Sequence, residues 1–344
     1  YVIGNNPNDF LAKSAKNYIQ SDYTKISKTK EFIELYKIDF IVPGCNDMSF
    51  QVYTELNSNN QFSISDTSEI NQIINNKEKF RLFAVACNLS VPKVVKYEEI
   101  GELWPLIVKP VDAYSGLGIT IINESDKNML QSAMKFAIEN SRNGNCIIEE
   151  FVDGQLYSHS AFIFEKNIMI DFIVEEHCTA NSFAVDTSRV IYDFPKEVLS
   201  DIRKEIHKVS DELGLVDGLI HTQFIKKGNK FWIIEITRRC PGDLYSYLIE
   251  SSTGFNYAKT YTKPFIKQKI SLPIKPQIKS DIIRHTISNP KEGFFNSLQF
   301  NLSVSIDKFI QISKAGDFIK KSPSGRIGLL FMRANSKSEL ISIY

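Results

Sequence analysis

Strand–helix–strand alternation over residues 1–42, a switch to strand-dominated patterning beyond Lys93 and a glycine-turned hairpin around Gly228 predict a mixed α/β (α+β) protein. The 344 residues suggest two or three domains, and a chain of that length buries sizeable cores without staples. Val2-Ile3 reads as a strand end and Gly4-Asn5-Asn6-Pro7-Asn8 as a turn. Helices are expected from about Asp9 to Gln20 and from Lys28 to Tyr36, the second feeding a strand Asp39-Phe40-Ile41-Val42 that Pro43-Gly44 stops. This is a partial Rossmann-like domain, and it has no glycine fingerprint for a dinucleotide. Its abrupt opening at Tyr1, without a methionine, leads us to expect an incomplete N-terminus.

Asn57 to Asp66 is polar and aperiodic and reads as a linker, followed by a helix from about Ser68 to Leu89 that Pro92 ends. Strands then fall at Lys93–Tyr97, Leu106–Lys109, Ile119–Ile122 and Cys146–Phe151, with a helix over Asp126–Glu139. Longer strands follow at Leu156–Phe164, Ile168–Glu176 and Phe183–Ile191, then a helix Lys196–Leu213 closed by Gly214. Leu219–Ile225 and Lys230–Ile236 pair as a hairpin across Lys227-Gly228-Asn229. The expected domains are residues 1–70, 71–153 and 154–344, the last with a β-rich C-terminal extension.

The formal net charge of +1 gives no global electrostatic case for nucleic acid or an anionic membrane. No apolar run approaches the roughly 18 residues of a membrane helix. Five widely spaced cysteines (Cys45, Cys87, Cys146, Cys178, Cys240) show no metal or redox pairing in the sequence, which suggests a reducing, cytoplasmic setting.

Three segments carry chemistry. Lys109-Pro110-Val111-Asp112-Ala113-Tyr114-Ser115-Gly116-Leu117-Gly118 places a lysine at a strand end and a glycine turn before the next strand. Glycines let backbone N–H groups approach an anion, and lysine adds a point charge for phosphate. Alone, the segment reads equally as a plain hairpin. Ile147-Ile148-Glu149-Glu150-Phe151-Val152-Asp153-Gly154 reads as a strand end, or as an interlobe hinge whose backbone meets a base edge. In His221-Thr222-Gln223-Phe224 and Trp232-Ile233-Ile234-Glu235-Ile236-Thr237-Arg238-Arg239, Gln223 and Glu235 fall on adjacent strands and offer hard oxygen ligands for Mg²⁺. A carboxylate inside an apolar run needs a partner or a metal.

In order and spacing these three motifs resemble the ATP-grasp superfamily, of the carboxylate–amine ligase type that includes carbamoyl-phosphate synthetase, biotin carboxylase and the L-amino acid ligases. The resemblance implies an ATP-grasp fold with two lobes closing on ATP. By position it implies ATP lysines at Lys77 (or Lys79) and Lys109, a phosphate flap at Ser115, Gly116 and Gly118, an adenine contact from Glu149 and a hinge backbone at Glu150, Phe151 and Val152. It implies metal ligands at Gln223, Glu235 and Thr237, and a catalytic role for Arg239 and Lys109 at the transferred phosphoryl group. The chain departs from the family at Leu156, where a ribose-binding glutamate is usual, at Gln223 and at Thr237, which leaves Glu235 the one charged ligand of the usual three. The implied activity is ATP-dependent activation of a carboxylate as an acyl phosphate and its coupling to an amine. A bicarbonate-activating enzyme and a nucleotide-binding protein with little turnover are the alternatives. The implied partners are small-molecule carboxylate and amine substrates, with a homodimer expected by family habit alone. His159 and His221 read as structural or substrate-bonding more readily than catalytic. Asp186, Ser188, Arg189, Arg238, Asp243 and Tyr245 are candidates for the acceptor end, and equally surface polar residues.

Overall fold

The structure, a computed structural model, describes residues 1–101, 103–113, 116–123, 126–270, 280–300 and 303–334. The N-terminal segment comprises β1 (Val2–Gly4), α1 (Phe10–Ser14), β2 (Tyr18–Gln20), α2 (Ile26–Leu35) and α3 (Asp47–Leu56). β1 and β2 pair in parallel, Val2 opposite Tyr18. The expected helix to Gln20 therefore stops at Ser14, because Tyr18-Ile19-Gln20 is taken up as a strand. The expected strand over residues 39–42 joins no sheet among the described residues. It leads instead to Asn46, whose side chain accepts from Ser49 N at 2.8 Å and starts α3.

The predicted long helix is two helices, α4 (Ser68–Asn75) and α5 (Lys77–Ala86). Asn76 breaks from helical geometry (φ −103°, ψ 118°) and its side chain caps α5 through Lys79 N. The apolar periodicity runs through the junction, so only the capping asparagine marks it. The small lobe follows: β3 (Leu106–Pro110), β4 (Thr120–Ile122), α6 (Lys127–Glu139) and β5 (Cys146–Glu150), with sheet order β4-β3-β5. Asp126 caps α6, whose Leu130, Ala133 and Ala137 pack on Leu106, Val108, Ile122 and Ile148. Of the strand expected at residues 93–97, a single bridge from Val94 to Glu149 is formed.

The large lobe contains β6 (Gln155–Phe164), β7 (Asn167–His177), β8 (Thr187–Ile191), α7 (Lys196–Leu213), β9 (Gly218–Lys227), β10 (Lys230–Thr237), α8 (Tyr245–Thr253), α9 (Tyr257–Thr262), β11 (Asp281–Ile287), β12 (Gly293–Phe294), β13 (Ser305–Gln311), β14 (Phe318–Ile319) and β15 (Gly328–Ala334). Eight of these strands form one antiparallel sheet, ordered β10-β9-β6-β7-β8-β11-β15-β13. The C-terminal extension thus continues the main sheet. On one face Val198, Ile202, Ile206 and Val209 of α7 pack with Ile163, Ile220, Phe224 and Ile233, and Phe80 and Ala84 of α5 join them. On the other, α8 and α9 cover Phe162, Phe172 and Leu219, and Phe50 and Tyr53 of α3 enter the same core. Arg238 anchors the 57–66 segment through Asp66 (Nε–Oδ2 2.7 Å), whose other oxygen accepts from Val216 N.

Between the lobes lies Gly154, where a Cβ would stand 2.7 Å from both Ile225 Cγ2 and the Lys226 carbonyl oxygen. Gly154→Ala is expected to cost about 1–3 kcal/mol through this overlap, read as a lower urea midpoint; an unchanged midpoint would show that the hinge gives way freely.

Candidate active site

A cleft of ≈ 1990 Å³ runs between the N-terminal segment, the small lobe and the large sheet. Lys77, Lys109 and Gly116 line one side, Glu150, Phe151, Val152 and Gly154 line its hinge, and Leu156, Gln223, Glu235, Thr237 and Arg239 line the sheet side. Lys77 Nζ donates to the Ala113 carbonyl at 2.8 Å, beneath the flap. Ser115 lies outside the described residues. Gly116 adopts φ +74°, and a Cβ there would stand 2.5 Å from Phe183 Cβ, so the flap is seated on the loop that precedes β8. Gly118, also at φ +74°, is crowded by Pro110 and Asn140.

Glu149 does not face the cleft. It is fully buried behind Lys109, with Lys109 Nζ 2.7 Å from Oε2 and Arg81 Nε 2.6 Å from Oε1. Burial pushes its carboxyl up, and the two cations outweigh that and hold it below the usual carboxylate range. Burial likewise draws Lys109 below the ordinary lysine value, with Glu149 opposing. Glu149, expected at the adenine, is thus engaged by Lys109 and Arg81 behind the cleft, and residues 150–152 line the cleft beside it.

Strict alternation along β10 would send Glu235 to the same face as Phe231 and Ile233, into the core under α7. A bulge prevents this: Ile233 pairs with Phe224 and Glu235 with Gln223, leaving Ile234 as the extra residue. Arg81 Nη2 donates to the Ile234 carbonyl at 2.9 Å and so fixes the bulge from below. Glu235 and Gln223 consequently sit side by side on the cleft face. Thr237, opposite His221, is buried at the same face.

A polar row continues across the sheet. Gln223 pairs with Ser158, Glu176 with Ser188, and Ser188 with Arg284. Glu176 accepts from Ser158 Oγ at 2.7 Å and from Gln223 Nε2 at 2.9 Å. Arg284 Nη2 donates to Ser188 Oγ at 2.6 Å, and its buried Nε has no hydrogen-bond partner among the described residues. Sequence reasoning missed both Glu176 and Arg284. The signal that existed was an ionisable residue inside an apolar strand, the one used for Glu235.

Arg239, expected at the phosphoryl group, forks onto Asp47 of α3 (Nε–Oδ1 2.6 Å, Nη2–Oδ2 2.9 Å) while still lining the cleft. Asp186 is occupied in closing its loop through Thr179 N and Ala180 N. Arg189 pairs with Glu175 away from the polar row, and Asp243 takes Arg326 and Thr286. Tyr245 is buried, its hydroxyl 3.1 Å from Ser158 Oγ. His159 bonds Asp171, which Arg203 also holds. His221 Nδ1 meets Ser160 Oγ at 2.8 Å; burial first, then Arg239 and His159, lower its pKa to about 3.

Among the described residues no group of three or more His, Cys, Asp or Glu side chains is arranged to hold a metal, no helix is long and apolar enough to cross a membrane, and the five cysteines are free. An amide oxygen and one carboxylate, flanked by the Thr237 hydroxyl, nevertheless fit a hard cation that takes its remaining ligands from water and phosphate.

Residues 103–246 match the ATP-grasp domain. The formate-dependent phosphoribosylglycinamide formyltransferase of Prochlorococcus marinus (strain NATL2A) is 27% identical over 224 residues, covering 62% of this chain and 57% of that protein. The carbamoyl phosphate synthase large chain of Vibrio vulnificus is 26% identical over 180 residues, 52% of this chain and 16% of that one. The chain thus spans about half the length of the first of these relatives and much less of the second. Its fold is that of the L-amino acid ligase from Bacillus licheniformis, with a TM-score of 0.78, 17% identity and coverage of 98% and 86% of the two chains.

Arg81→Met should cost about 3–5 kcal/mol, because it strips a buried carboxylate of one cation and frees the bulge carbonyl; a denaturation midpoint equal to wild type would show that the triad does not hold the lobes. His221 stays neutral in the folded protein below its unfolded value of 6.5, while the unfolded chain takes up the proton. Its share of stability is therefore present above that value and lost as pH falls from 6.5 toward about 3. Side-chain ¹⁵N NMR at pH 5 is expected to show this imidazole neutral, and titration near the ordinary histidine value would contradict its burial.

Proposed function

Because this chain is a member of the ATP-grasp superfamily, we propose that it is an ADP-forming ligase that activates a small carboxylate with ATP and couples it to an amine. The observation that carries this reading is the convergence on one cleft of Lys77 and Lys109 from one side and Gln223, Glu235 and Arg284 from the other. The hinge backbone of Glu150, Phe151 and Val152 meets the adenine edge, and the apolar Leu156 and Ile225 lie under the nucleoside. Lys77 and Lys109 meet the phosphates under the Gly116–Gly118 flap. Gln223 and Glu235, with Thr237 beside them, would hold Mg²⁺, which when bound would offset phosphate charge.

Arg284 is placed to receive an anion: its Nε is buried and free of hydrogen bonds among the described residues, and it lines the cleft. A substrate carboxylate oriented there attacks the γ-phosphorus. A carboxylate O–P bond forms, the bond to the β-phosphate oxygen breaks, and ADP leaves. The amine nitrogen then attacks the acyl carbon, the acyl C–O bond breaks, phosphate departs and the nitrogen loses its proton. Arg239, held by Asp47, lines the floor of the same cleft, where its charge faces the transferred phosphoryl group while Arg284 holds the carboxylate. Closure of the flap on Phe183 excludes water from the acyl phosphate.

A nucleotide-binding protein with little turnover is the second reading, favoured by the presence of one carboxylate among Gln223, Glu235 and Thr237. ADP release from Mg·ATP across a panel of carboxylic acids crossed with amines, with bicarbonate as a separate arm, separates the readings. Release that requires an acid and an amine together, with the amide found by mass spectrometry, establishes the ligase. ATP binding without release for any pair favours the binder, and release with bicarbonate alone favours a carboxylating enzyme. With the active pair, Glu235→Ala is expected to lower ADP release by more than the about 10–100-fold typical of residues that only support a metal ligand, and Lys109→Ala to raise the KM for ATP; full activity in Glu235→Ala would refute the metal assignment.

A further inference from the structure

The neutral residue at the metal pair makes its orientation decisive. A glutamine amide offers an oxygen on one side and an NH₂ on the other, and the two differ by a flip. Turned one way, Gln223 presents an acceptor to a cation beside Glu235. Turned the other way, it presents two N–H donors and opposes the cation. The amide cannot make this choice alone.

Glu176 makes it. This carboxylate is buried on β7, two strands from Gln223, and lines the same cleft. One of its oxygens is taken by Ser158 Oγ at 2.7 Å, and the other accepts from Gln223 Nε2 at 2.9 Å. Burial pushes the Glu176 carboxyl up, while the Ser158 hydroxyl, the Arg284 guanidinium and the Gln223 amide favour its ionised form; in that form the carboxylate accepts and does not donate, so one flip of Gln223 satisfies the contact. Ser158 locks the carboxylate in turn, and its own hydroxyl lies 3.1 Å from Tyr245 Oη, which anchors the chain of contacts under α8. We infer that Glu176 is a positioning residue for the metal site: it pins the Gln223 NH₂ away from the cation position and leaves the amide oxygen for it. The inference rests on the nucleotide-binding reading above, and it assigns a function to a buried acid that the chemistry of activation does not otherwise use.

Glu176→Gln tests it, because an amide in that place both donates and accepts and no longer selects the flip. The double variant Glu176→Gln/Gln223→Glu reverses the contact, with the introduced amide donating to an introduced carboxylate whose oxygens are all acceptors. Mn²⁺ is titrated into the full chain with saturating ADP and followed by electron paramagnetic resonance. ADP affinity in EDTA is measured by calorimetry on the same proteins. Glu176→Gln is expected to weaken Mn²⁺ binding about 10–100-fold, to leave metal-free ADP affinity at the wild-type value, and to be rescued in the double variant. Wild-type Mn²⁺ affinity in Glu176→Gln overturns the inference. Equal loss of metal-free ADP binding, or a double variant as weak as the single one, also overturns it, since either marks a general packing role. If the wild-type protein binds ADP neither with Mn²⁺ nor in EDTA, the nucleotide reading falls and takes this inference with it; if it binds ADP but takes up no Mn²⁺ in the titration, only the metal assignment and its positioning residue fall.

Discussion

Glu149 is the point at which the two lobes share one constraint. Its carboxylate lies between Lys109 of β3 and Arg81 of α5, without solvent, and Arg81 extends to the carbonyl of Ile234 in β10. A buried carboxylate with two cations is stable only while both contacts persist, since an unpaired charge in that position is strongly unfavourable. The geometry this imposes is specific. Lys109 is aimed along β3 into the cleft, and the strand opposite is held in its bulged form. The lysine proposed to meet phosphate and the glutamate proposed to meet metal are thus set by one ionic cluster, although they stand on different sheets.

The large sheet uses one face for two purposes. Toward β10 the face is polar, and Gln223, Ser158, Glu176, Ser188 and Arg284 form a row in which Gln223 and Ser158 donate to Glu176 and Arg284 donates to Ser188. Beyond that row, Ser160 meets His221 and the Tyr257 hydroxyl before the helices α8 and α9 cover an apolar remainder. Buried polar groups of this kind are tolerable only when they are paired, and most of these pair with one another. The exception at Arg284 Nε lies where an incoming anion would complete it.

The regular parts of this architecture are legible in the sequence because local chemistry decides them. Gly228 sits at positive φ in the turn of the β9–β10 hairpin, and Gly214 closes α7 in the left-handed region, so both boundaries follow from residue type. The junction at Asn76 is less visible, because a capping asparagine and an interior one look alike in a continuous apolar pattern. The run at residues 39–42 has strand composition and no partner strand, and composition says nothing about partners. α3, α8 and α9 escaped the reading for the same reason: their apolar faces are defined by a core assembled from distant segments. Lys109, Gln223 and Glu235, which line one cleft, were singled out by motif. Glu176 and Arg284 acquire meaning only through strand register, and Glu149 was assigned to the cleft because a bulge and two cations behind it are invisible in a linear pattern. The fork from Arg239 to Asp47 spans 192 residues, beyond any local rule.

The far-reaching ion pairs also bear on modularity. The segment that carries the recognisable motifs holds Glu149, Arg238 and Arg239, yet Arg81, Asp66 and Asp47 all lie before it in the chain. Excised at the motif boundaries, that segment would bring three charged groups into its interior or its floor and leave part of their neutralisation behind. The motif-bearing segment is therefore not a portable cassette. Recombination would have to carry over the preceding helices together with it, or replace both members of each pair at once, because the residues ahead of the motifs both line the cleft and neutralise charges of the motif-bearing segment.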